Sequence, residues 1–330
     1  MPVYSGTNCM TKALLIVIVF YVMSPLVELT SAGEVTGGRS TLAFTVNQDG
    51  GYEFDTGLLR GRLREAGKGL GLSSAMHVPT GTKLNGAHGI LSYYRVFTTN
   101  KRYGTAAWSW PSSSKLLPDG AVQVTWPEAD DRPFQMVAVY RFDDDSTLDV
   151  ETIVKASENL SKFEVFLASY FHESFPLPQV FVTPDAKIVG KRIFMKAKKS
   201  FGDWQMFPRN YDVVPIIRDG RWQKEPNPVD WKIMPLIAKP IALRRGSKAA
   251  PTAILMAPPD DCFAIATPYE GEGHYSMYFS LFGRDIKAGQ TARARLRLVV
   301  TNIASNREIL NLYKKYMEDL SELTVQTDNP

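Results

Sequence analysis

The stretch Phe134-Gln-Met-Val-Ala-Val-Tyr-Arg-Phe-Asp-Asp-Asp-Ser-Thr-Leu-Asp-Val-Glu-Thr-Ile-Val-Lys-Ala156 decides the fold. It contains two runs rich in β-branched and aromatic residues, 134–142 and 148–156, with a short polar segment between them. This arrangement is typical of a β-hairpin. The aspartates at 143–145 are interpreted as a solvated turn, because the spacing of an EF-hand calcium loop and its closing glutamate are missing.

Runs of the same kind lie on both sides of this hairpin. They are residues 93–98, 121–126, 162–171, 241–243, 253–256, 262–266, 275–281 and 292–300. Clusters of polar residues, glycine and proline separate many of them, and no helical pattern alternates with them. Short strands at such spacing indicate a sandwich or barrel and not βαβ units. We therefore predict an all-β fold, a large antiparallel β-sandwich.

Two segments depart from the strand pattern. Residues 196–231 are rich in tryptophan, arginine and proline without any period, which predicts a long structured excursion that forms one wall of a cleft. Residues 305–320 place apolar side chains at helical spacing, with Ser305 or Asn306 as a cap, which predicts one C-terminal amphipathic helix docked on the sandwich. A single domain is expected over residues 33–324, followed by a disordered tail at 325–330.

The first 32 residues have the pattern of a signal peptide. Lys12 precedes an apolar run over residues 13–23, and the small-residue sequence ending at Ala32 predicts the cleavage site. The run is shorter than the roughly 20 residues of a membrane-spanning helix. We expect a secreted or periplasmic protein with no stable membrane span after cleavage. Cys9 would leave with the signal, and Cys262, in an apolar run, is predicted to be a small core residue.

Charge and motifs exclude several classes of function. The 330 residues carry a formal net charge of +4 without a long basic block, so no nucleic-acid partner is expected. The sequence has neither the nucleophile elbow of a serine hydrolase nor the glycine fingerprint of a dinucleotide-binding domain. Zinc-ligand spacing is absent as well, and we expect no cofactor and no metal.

A first candidate site lies in the stretch Asn-Gly-Ala-His-Gly-Ile-Leu-Ser-Tyr-Tyr-Arg-Val-Phe at residues 85–97. Glycines beside His88 let a ligand approach the backbone closely. Tyr94 and Arg95 follow on a predicted strand, where they can stack against and hydrogen-bond a polyhydroxylated or anionic molecule. The alternative for Arg95 is a surface salt bridge.

Two more histidines occur where predicted strands begin or end. His172 follows a strongly apolar run and precedes Glu173, so the pair should emerge at the edge of the sheet. An imidazole beside a carboxylate can serve in acid–base catalysis, whereas the alternative is a structural histidine and a surface acid. We treat His172 as a candidate catalytic residue.

The third histidine, His274, lies in a glycine-rich loop with Glu270 and Glu272, and Tyr275 follows it. Either glutamate could be a general base if burial raises its pKa towards neutrality. The alternative is an ordinary hairpin loop with solvated acids.

The excursion contributes two further candidates for ligand contact, Trp204 and Arg209. The first could stack on a sugar ring and the second could hold an acidic group, although most tryptophans in such a fold belong to the core.

In its length, its long meander of strands and the position of His88 and His172 near strand ends, the chain resembles the galactose mutarotase-like superfamily. That resemblance implies a super-sandwich over roughly residues 40–300, an architecture shared by aldose epimerases and several polysaccharide lyases. By analogy His88 and His172 would be the catalytic imidazoles, and Glu270 or Glu272 the base. The signature sequences of the epimerases are missing around both places.

These features lead to one main hypothesis and two alternatives. The main hypothesis is a secreted carbohydrate-binding or carbohydrate-active protein, with a cleft of His, Tyr, Arg and Glu that does proton-transfer chemistry on a sugar, as an epimerase or a polysaccharide lyase. In a lyase, Tyr94 or His172 would be the catalytic base and Arg95 would neutralise the uronate carboxylate. The first alternative is a non-catalytic extracellular or envelope module for glycan binding. The second is a divalent metal held by His88, His172 and His274.

Overall fold

A computed structural model describes residues 42–64, 71–183, 192–246, 250–303 and 305–327. The predicted signal peptide, its cleavage site and Cys9 lie outside these residues. The first described strands are β1 (Thr45–Val46), β2 (Tyr52–Asp55), β3 (Leu59–Leu63), β4 (Leu72–His77) and β5 (Thr82–Lys83). They form a small antiparallel sheet in chain order.

The later strands build two large sheets. In chain order they are β6 (Ser92–Thr98), β7 (Lys101–Arg102), β8 (Ser113–Leu116), β9 (Val122–Trp126), β10 (Phe134–Asp144), β11 (Thr147–Ala156), β12 (Leu160–Tyr170), β13 (Leu177–Val182), β14 (Ile193–Lys196), β15 (Trp204–Pro208), β16 (Lys232–Ile233), β17 (Ile237–Arg245), β18 (Thr252–Met256), β19 (Cys262–Pro268), β20 (Ser276–Ile286) and β21 (Thr291–Thr301). The predicted hairpin is β10 and β11, which pair from Phe134↔Ala156 onwards.

The two large sheets are almost entirely antiparallel and share one hydrophobic core. Among the described residues, the nine-stranded sheet has the order β14-β13-β17-β18-β21-β11-β10-β9-β8, and the seven-stranded sheet the order β16-β15-β19-β20-β12-β6-β7. All of these pairings are antiparallel except that of β15 with β16. One hydrophobic cluster takes side chains from both sheets, such as Met136 on β10 and Leu167 on β12. The prediction of an all-β antiparallel sandwich is therefore confirmed.

The sequence pattern on the seven-stranded sheet makes its second face apolar as well. Along β12, Val165 and Leu167 belong to the shared core, whereas Phe166, Ala168 and Tyr170 belong to a second cluster. We call the side with the second cluster the cleft face. A strand that is buried on both faces reads as a continuous apolar run, as this one does.

The predicted excursion packs on the cleft face. It contains β15, a short helix α1 (Val214–Ile217) and a 3-10 turn at Arg221–Gln223, and Val213, Ile216 and Trp222 join the second cluster. Arg221 anchors it, because its Nη1 lies 2.9 Å from Glu164 Oε2 and its Nη2 lies 2.8 Å from Asp219 Oδ2.

The C-terminal helix α2 (Asn306–Thr327) begins as predicted and continues past the predicted end at residue 320. Ser305 Oγ accepts a hydrogen bond from the backbone N–H of Glu308, which is the geometry of an N-cap. No glycine or proline interrupts the sequence before Thr327, so the helix has no local reason to end earlier. Part of the segment predicted to be a disordered tail is therefore helical, and residues 328–330 lie outside the described residues.

Helix α2 packs on the outer face of the nine-stranded sheet. Tyr313 and Tyr316 are buried against strand residues that include Ile241 and Leu243. The charged residues of α2 leave it too polar to cross a bilayer, and no other helix in the described part of the chain is long and apolar enough to do so. Cys262 is fully buried in the shared core, as predicted.

Candidate functional site

A β-bulge between β6 and β12 turns two neighbouring side chains to the cleft face. Arg95 pairs with Phe166 and Tyr93 pairs with Leu167, so Tyr94 is an extra residue in the ladder. Tyr93 points into the shared core, where its hydroxyl lies 2.6 Å from Thr152 Oγ1. Adjacent strand residues normally face opposite ways, and the bulge removes that restriction. Tyr94 and Arg95 consequently both line a cavity on the cleft face.

This cavity, which we call the aromatic cavity, lies between the seven-stranded sheet and the excursion. It has a volume of about 350 Å³. Its lining consists of Tyr94, Arg95, Phe166, Tyr170, Trp204, Trp222, Asn227, Pro228, Val229, Trp231, His274 and Tyr278. The predicted excursion thus supplies one wall, as the sequence indicated, and the sheet supplies the floor.

Arg95 is the charged group of the aromatic cavity, and it is only 3% exposed. Its Nη2 donates to the Tyr94 hydroxyl at 3.1 Å and to the Asn227 carbonyl at 2.8 Å. Its Nε and Nη1 have no hydrogen-bond partner among the described residues, and neither have the indole nitrogens of Trp222 and Trp231. A buried donor without an acceptor is unfavourable in free energy. This lining therefore favours the binding of water or of a ligand rich in acceptor oxygens.

A second cavity, the histidine cavity, adjoins the first and is wider, at about 720 Å³. It is lined by Ser73, Lys83, Asn85, Gly86, Ala87, His88, Tyr170, Phe171, His172, Glu173, Gly273, His274 and Tyr275. Tyr170 and His274 line both cavities. The three candidate histidines, which are far apart in sequence, are therefore brought to one place.

His88 stacks on an aromatic neighbour. Its ring lies parallel to that of Trp108, with 5.3 Å between centroids and 7° between planes, and 4.9 Å from the ring of Tyr170. Desolvation by these surroundings, and then the charge of His274, lower the pKa of His88 below the ordinary histidine value. A neutral imidazole at pH 7 can accept a proton from a ligand.

His172 and His274 have different hydrogen-bond partners. The Nδ1 of His172 accepts the backbone N–H of Ser174 at 3.2 Å, so the neutral imidazole carries its proton on Nε2. His274 is held by Glu272, whose Oε1 contacts its Nδ1 and whose Oε2 accepts its backbone N–H at 2.9 Å. A carboxylate on Nδ1 fixes the orientation of an imidazole and leaves Nε2 for chemistry.

The other predicted residues are divided between the cavities and the surrounding surface. Trp204 lines the aromatic cavity and Tyr275 the histidine cavity. Glu270 lines neither, and its backbone N–H donates to the Ala197 carbonyl at 2.7 Å. Arg209 also lines neither, because its Nη1 donates to the Pro259 carbonyl at 2.8 Å. Glu272 also lines neither cavity, and it contacts His274, which lines both.

Sequence reasoning did not single out several of the lining residues. Phe166 and Tyr170 were visible only as part of an apolar strand, although their alternation along β12 places them on one face. Trp231 and Asn227 lie in the excursion, where no period indicates direction. Trp108, which stacks on Tyr94 at 4.6 Å as well as on His88, is engaged by protein rings and so is less free to stack on a ligand.

The described residues do not support the metal alternative. Within residues 42–64, 71–183, 192–246, 250–303 and 305–327, no group of three or more His, Cys, Asp or Glu side chains is arranged to hold a metal ion. The three histidines line one cavity without forming such a group.

No model of a protein family matches the chain, and no curated protein does. Solved structures that match include the putative aldose 1-epimerase of Escherichia coli K12, at 11% identity and a TM-score of 0.44, over 77% of this chain and 99% of that one. A heparan sulfate lyase from Pedobacter heparinus matches at 7% identity and a TM-score of 0.40, over 81% of this chain and 36% of that one. The alpha-N-acetylgalactosaminidase of Bifidobacterium bifidum matches at 12% identity and a TM-score of 0.48, over 81% of this chain and 39% of that one. The chain thus spans well under half the length of the last two proteins, and likeness at this level identifies no function.

Proposed function

We propose that the chain binds a carbohydrate across the aromatic and histidine cavities and carries out proton transfer on it. The observation that carries the proposal is the lining of the aromatic cavity, in which buried guanidinium and indole donors that have no partner in the described part of the chain lie among aromatic rings. Sugars present hydroxyl oxygens at their edges and apolar C–H faces, so they match donors and rings at once. Trp204 and Trp231 are partly exposed and supply the ring surface.

The histidine cavity supports the catalytic half of the proposal. His88 has a lowered pKa and is suited to accept a proton, and His172, whose Nδ1 accepts a backbone N–H, leaves its Nε2 to contact the ligand. His274, oriented by Glu272, lies where the two cavities meet. Acid and base groups around one cavity are what an epimerase or a lyase needs to move a proton on a sugar.

An acidic sugar fits the aromatic cavity best. The Nε and Nη1 of Arg95 have no partner among the described residues, so each can donate a charge-assisted hydrogen bond to an acidic group of a ligand. In a lyase that guanidinium would neutralise the uronate carboxylate, which makes the neighbouring proton easier to remove. We therefore favour a uronate-containing saccharide as the ligand.

The test is binding and turnover on a glycan panel that includes uronate polymers. Arg95→Met should weaken binding of the best uronate ligand about tenfold or more, the loss expected for a charged hydrogen bond of about 1.5–3 kcal/mol. Arg209→Met is the matched control and should bind as the unchanged protein does, because Arg209 lies outside both cavities. Far-UV circular dichroism checks that both variants fold.

The His88→Ala, His172→Ala double variant separates catalysis from binding. We expect it to lose turnover and to keep ligand affinity within a few-fold, because the aromatic cavity stays intact. If the unchanged protein binds a glycan and converts none, the non-catalytic binding module replaces the enzyme. Binding that Arg95→Met leaves unchanged, or no glycan binding at all, would overturn the proposal.

A further inference from the structure

Arg244 is a buried charge that the site described above does not use. It lies on β17, where Ala242 belongs to the shared core and Leu243 to the cluster under helix α2. Because strand residues alternate between faces, Arg244 points between the two large sheets. Its side chain is fully buried. Burial lowers the pKa of Arg244 to about 9, so the guanidinium is still protonated at neutral pH.

The guanidinium has few partners for a buried cation. Its Nε donates to the Phe175 carbonyl at 3.1 Å. Its Nη1 and Nη2 have no hydrogen-bond partner among the described residues. No salt bridge within the described chain includes this guanidinium. Electrostatic interactions with Tyr278, Glu272 and Tyr275 offset only part of its burial penalty, and the ring centroid of Tyr275 lies 5.7 Å from its Cζ. A buried charge without an ion pair is strongly unfavourable. Binding of an anion to these two nitrogens would therefore lower the free energy by supplying the missing partner.

Tyr275 contacts both Arg244 and the histidine cavity. It lines the histidine cavity, it is partly exposed, and Arg244 packs against its ring. Its backbone has a φ of 47°, a left-handed conformation that is strained for an aromatic residue. Strain of this kind clusters at ligand clamps and switch regions.

We propose that Arg244 is the base of an anion site closed by Tyr275, which takes a carboxylate or sulfate group when the tyrosine ring turns aside. The two free Nη atoms present the planar fork that such oxyanions accept. The site is separate from Arg95, which lines the aromatic cavity. The inference rests on the proposed function only for the source of the anion, a substituent on the bound saccharide.

The first experiment follows the melting temperature against sodium sulfate, with sodium chloride at equal ionic strength as the reference. Sulfate stabilises most proteins a little, so the difference between variants is the readout. Tyr275→Gly uncovers Arg244 and relieves the backbone strain, and it should at least double the shift produced by sulfate. Arg244→Met should lose the specific shift. Arg245→Met is the matched control, because Arg245 lies on the other face of β17 and bonds Gln179 and Asn306, and it should respond as the unchanged protein does.

A second arm distinguishes the source of the anion. Glucuronate and glucose are compared on the Tyr275→Gly variant, and glucuronate alone should raise its melting temperature. A response to sulfate without one to glucuronate would assign the site to free oxyanions. A sulfate shift that persists in Arg244→Met, or one that is equal in Tyr275→Gly and the unchanged protein, overturns the inference. The comparison of Tyr275→Gly with the unchanged protein tests the inference even if Arg244→Met fails to fold. The sulfate experiment contains no glycan, so its result does not depend on whether Arg95 binds a saccharide.

Discussion

The three imidazoles of the histidine cavity differ in what holds them. His88 has aromatic rings beside it, His172 accepts a backbone N–H, and His274 has the Glu272 carboxylate on Nδ1. Surroundings of this kind give chemically identical side chains different hydrogen-bonding roles. The proposed roles of the three imidazoles in proton transfer are therefore set by their neighbours and not by the residue type.

At this scale, the pH titration of His88 is the first prediction. Its pKa should lie below 6.5, because desolvation disfavours the protonated ring and His274 repels its charge. The unfolded chain binds more protons than the folded one between the two pKa values, so His88 contributes stability above pH 6.5 that is lost as the pH falls towards its folded value. NMR titration of the ring Cε1 proton measures the pKa of His88 directly.

The matched variant is His88→Gln, which should remove this part of the pH dependence from the unfolding free energy. A titration midpoint at or above 6.5 would show that the ring stack does not desolvate His88.

Candidate residues were predictable from the sequence where position along a strand determines location. His88, His172 and His274 stand at strand ends, and the structure brings all three to one cavity. Glu270 and Arg209 stand in equally suggestive sequences but line neither cavity. Carbonyls distant in sequence accept the backbone N–H of Glu270 and the guanidinium of Arg209. No local pattern contains such contacts.

At the scale of elements, the excursion over the cleft face depends on a buried ion cluster. Arg221 is fully buried and lies between Glu164 on β12 and Asp219. Burial raises the pKa of Glu164, and the charge of Arg221 opposes that rise. The cluster fixes the position of Trp222, the next residue, in the wall of the aromatic cavity.

Loss of the Arg221 cation should strongly destabilise the folded protein. Arg221→Met leaves the Glu164 charge buried without its partner, and we expect a loss of about 3–5 kcal/mol in the free energy of unfolding. The double variant Arg221→Met, Glu164→Leu should recover most of it, because no uncompensated carboxylate is left on β12. Urea denaturation of the single and double variants provides both values. A single variant within 1 kcal/mol of the unchanged protein would show that the cluster does not anchor the excursion.

Elements were largely predictable, and their arrangement was not. The predicted strand at 134–142 is observed as Phe134–Asp144, and the change from alternation to helical spacing located helix α2. The pairing of β12 with both β20 and β6 joins segments far apart in sequence. The bulge at Tyr94 could not be predicted either, because an extra residue in one strand is recognised only by comparison with the strand that pairs with it.

At the scale of the whole molecule, the two large sheets share one hydrophobic core. Trp126 lies in that core, whereas Trp222 and Trp231 lie in the cluster on the cleft face. Neither sheet can expose its inner face without the other losing its partner, so we expect one cooperative unfolding transition.

Tryptophan fluorescence and far-UV circular dichroism should therefore report the same urea midpoint. A Trp126→Phe variant is the informative comparison, since its remaining fluorescence is dominated by the cleft side. An earlier fluorescence midpoint in that variant would mean that the excursion detaches before the sandwich unfolds.

The anchoring of the excursion through Arg221 has a consequence for how this protein could diversify. The wall of the aromatic cavity is one continuous segment, attached to the sheet by the pairing of β15 with β19, by a compact ion cluster and by apolar contacts. A lineage could lengthen, shorten or exchange the part of that segment that follows β15 while it inherits the sandwich unchanged. New ligand preferences could then arise by replacement of a single cassette, without any renewed search for a stable fold.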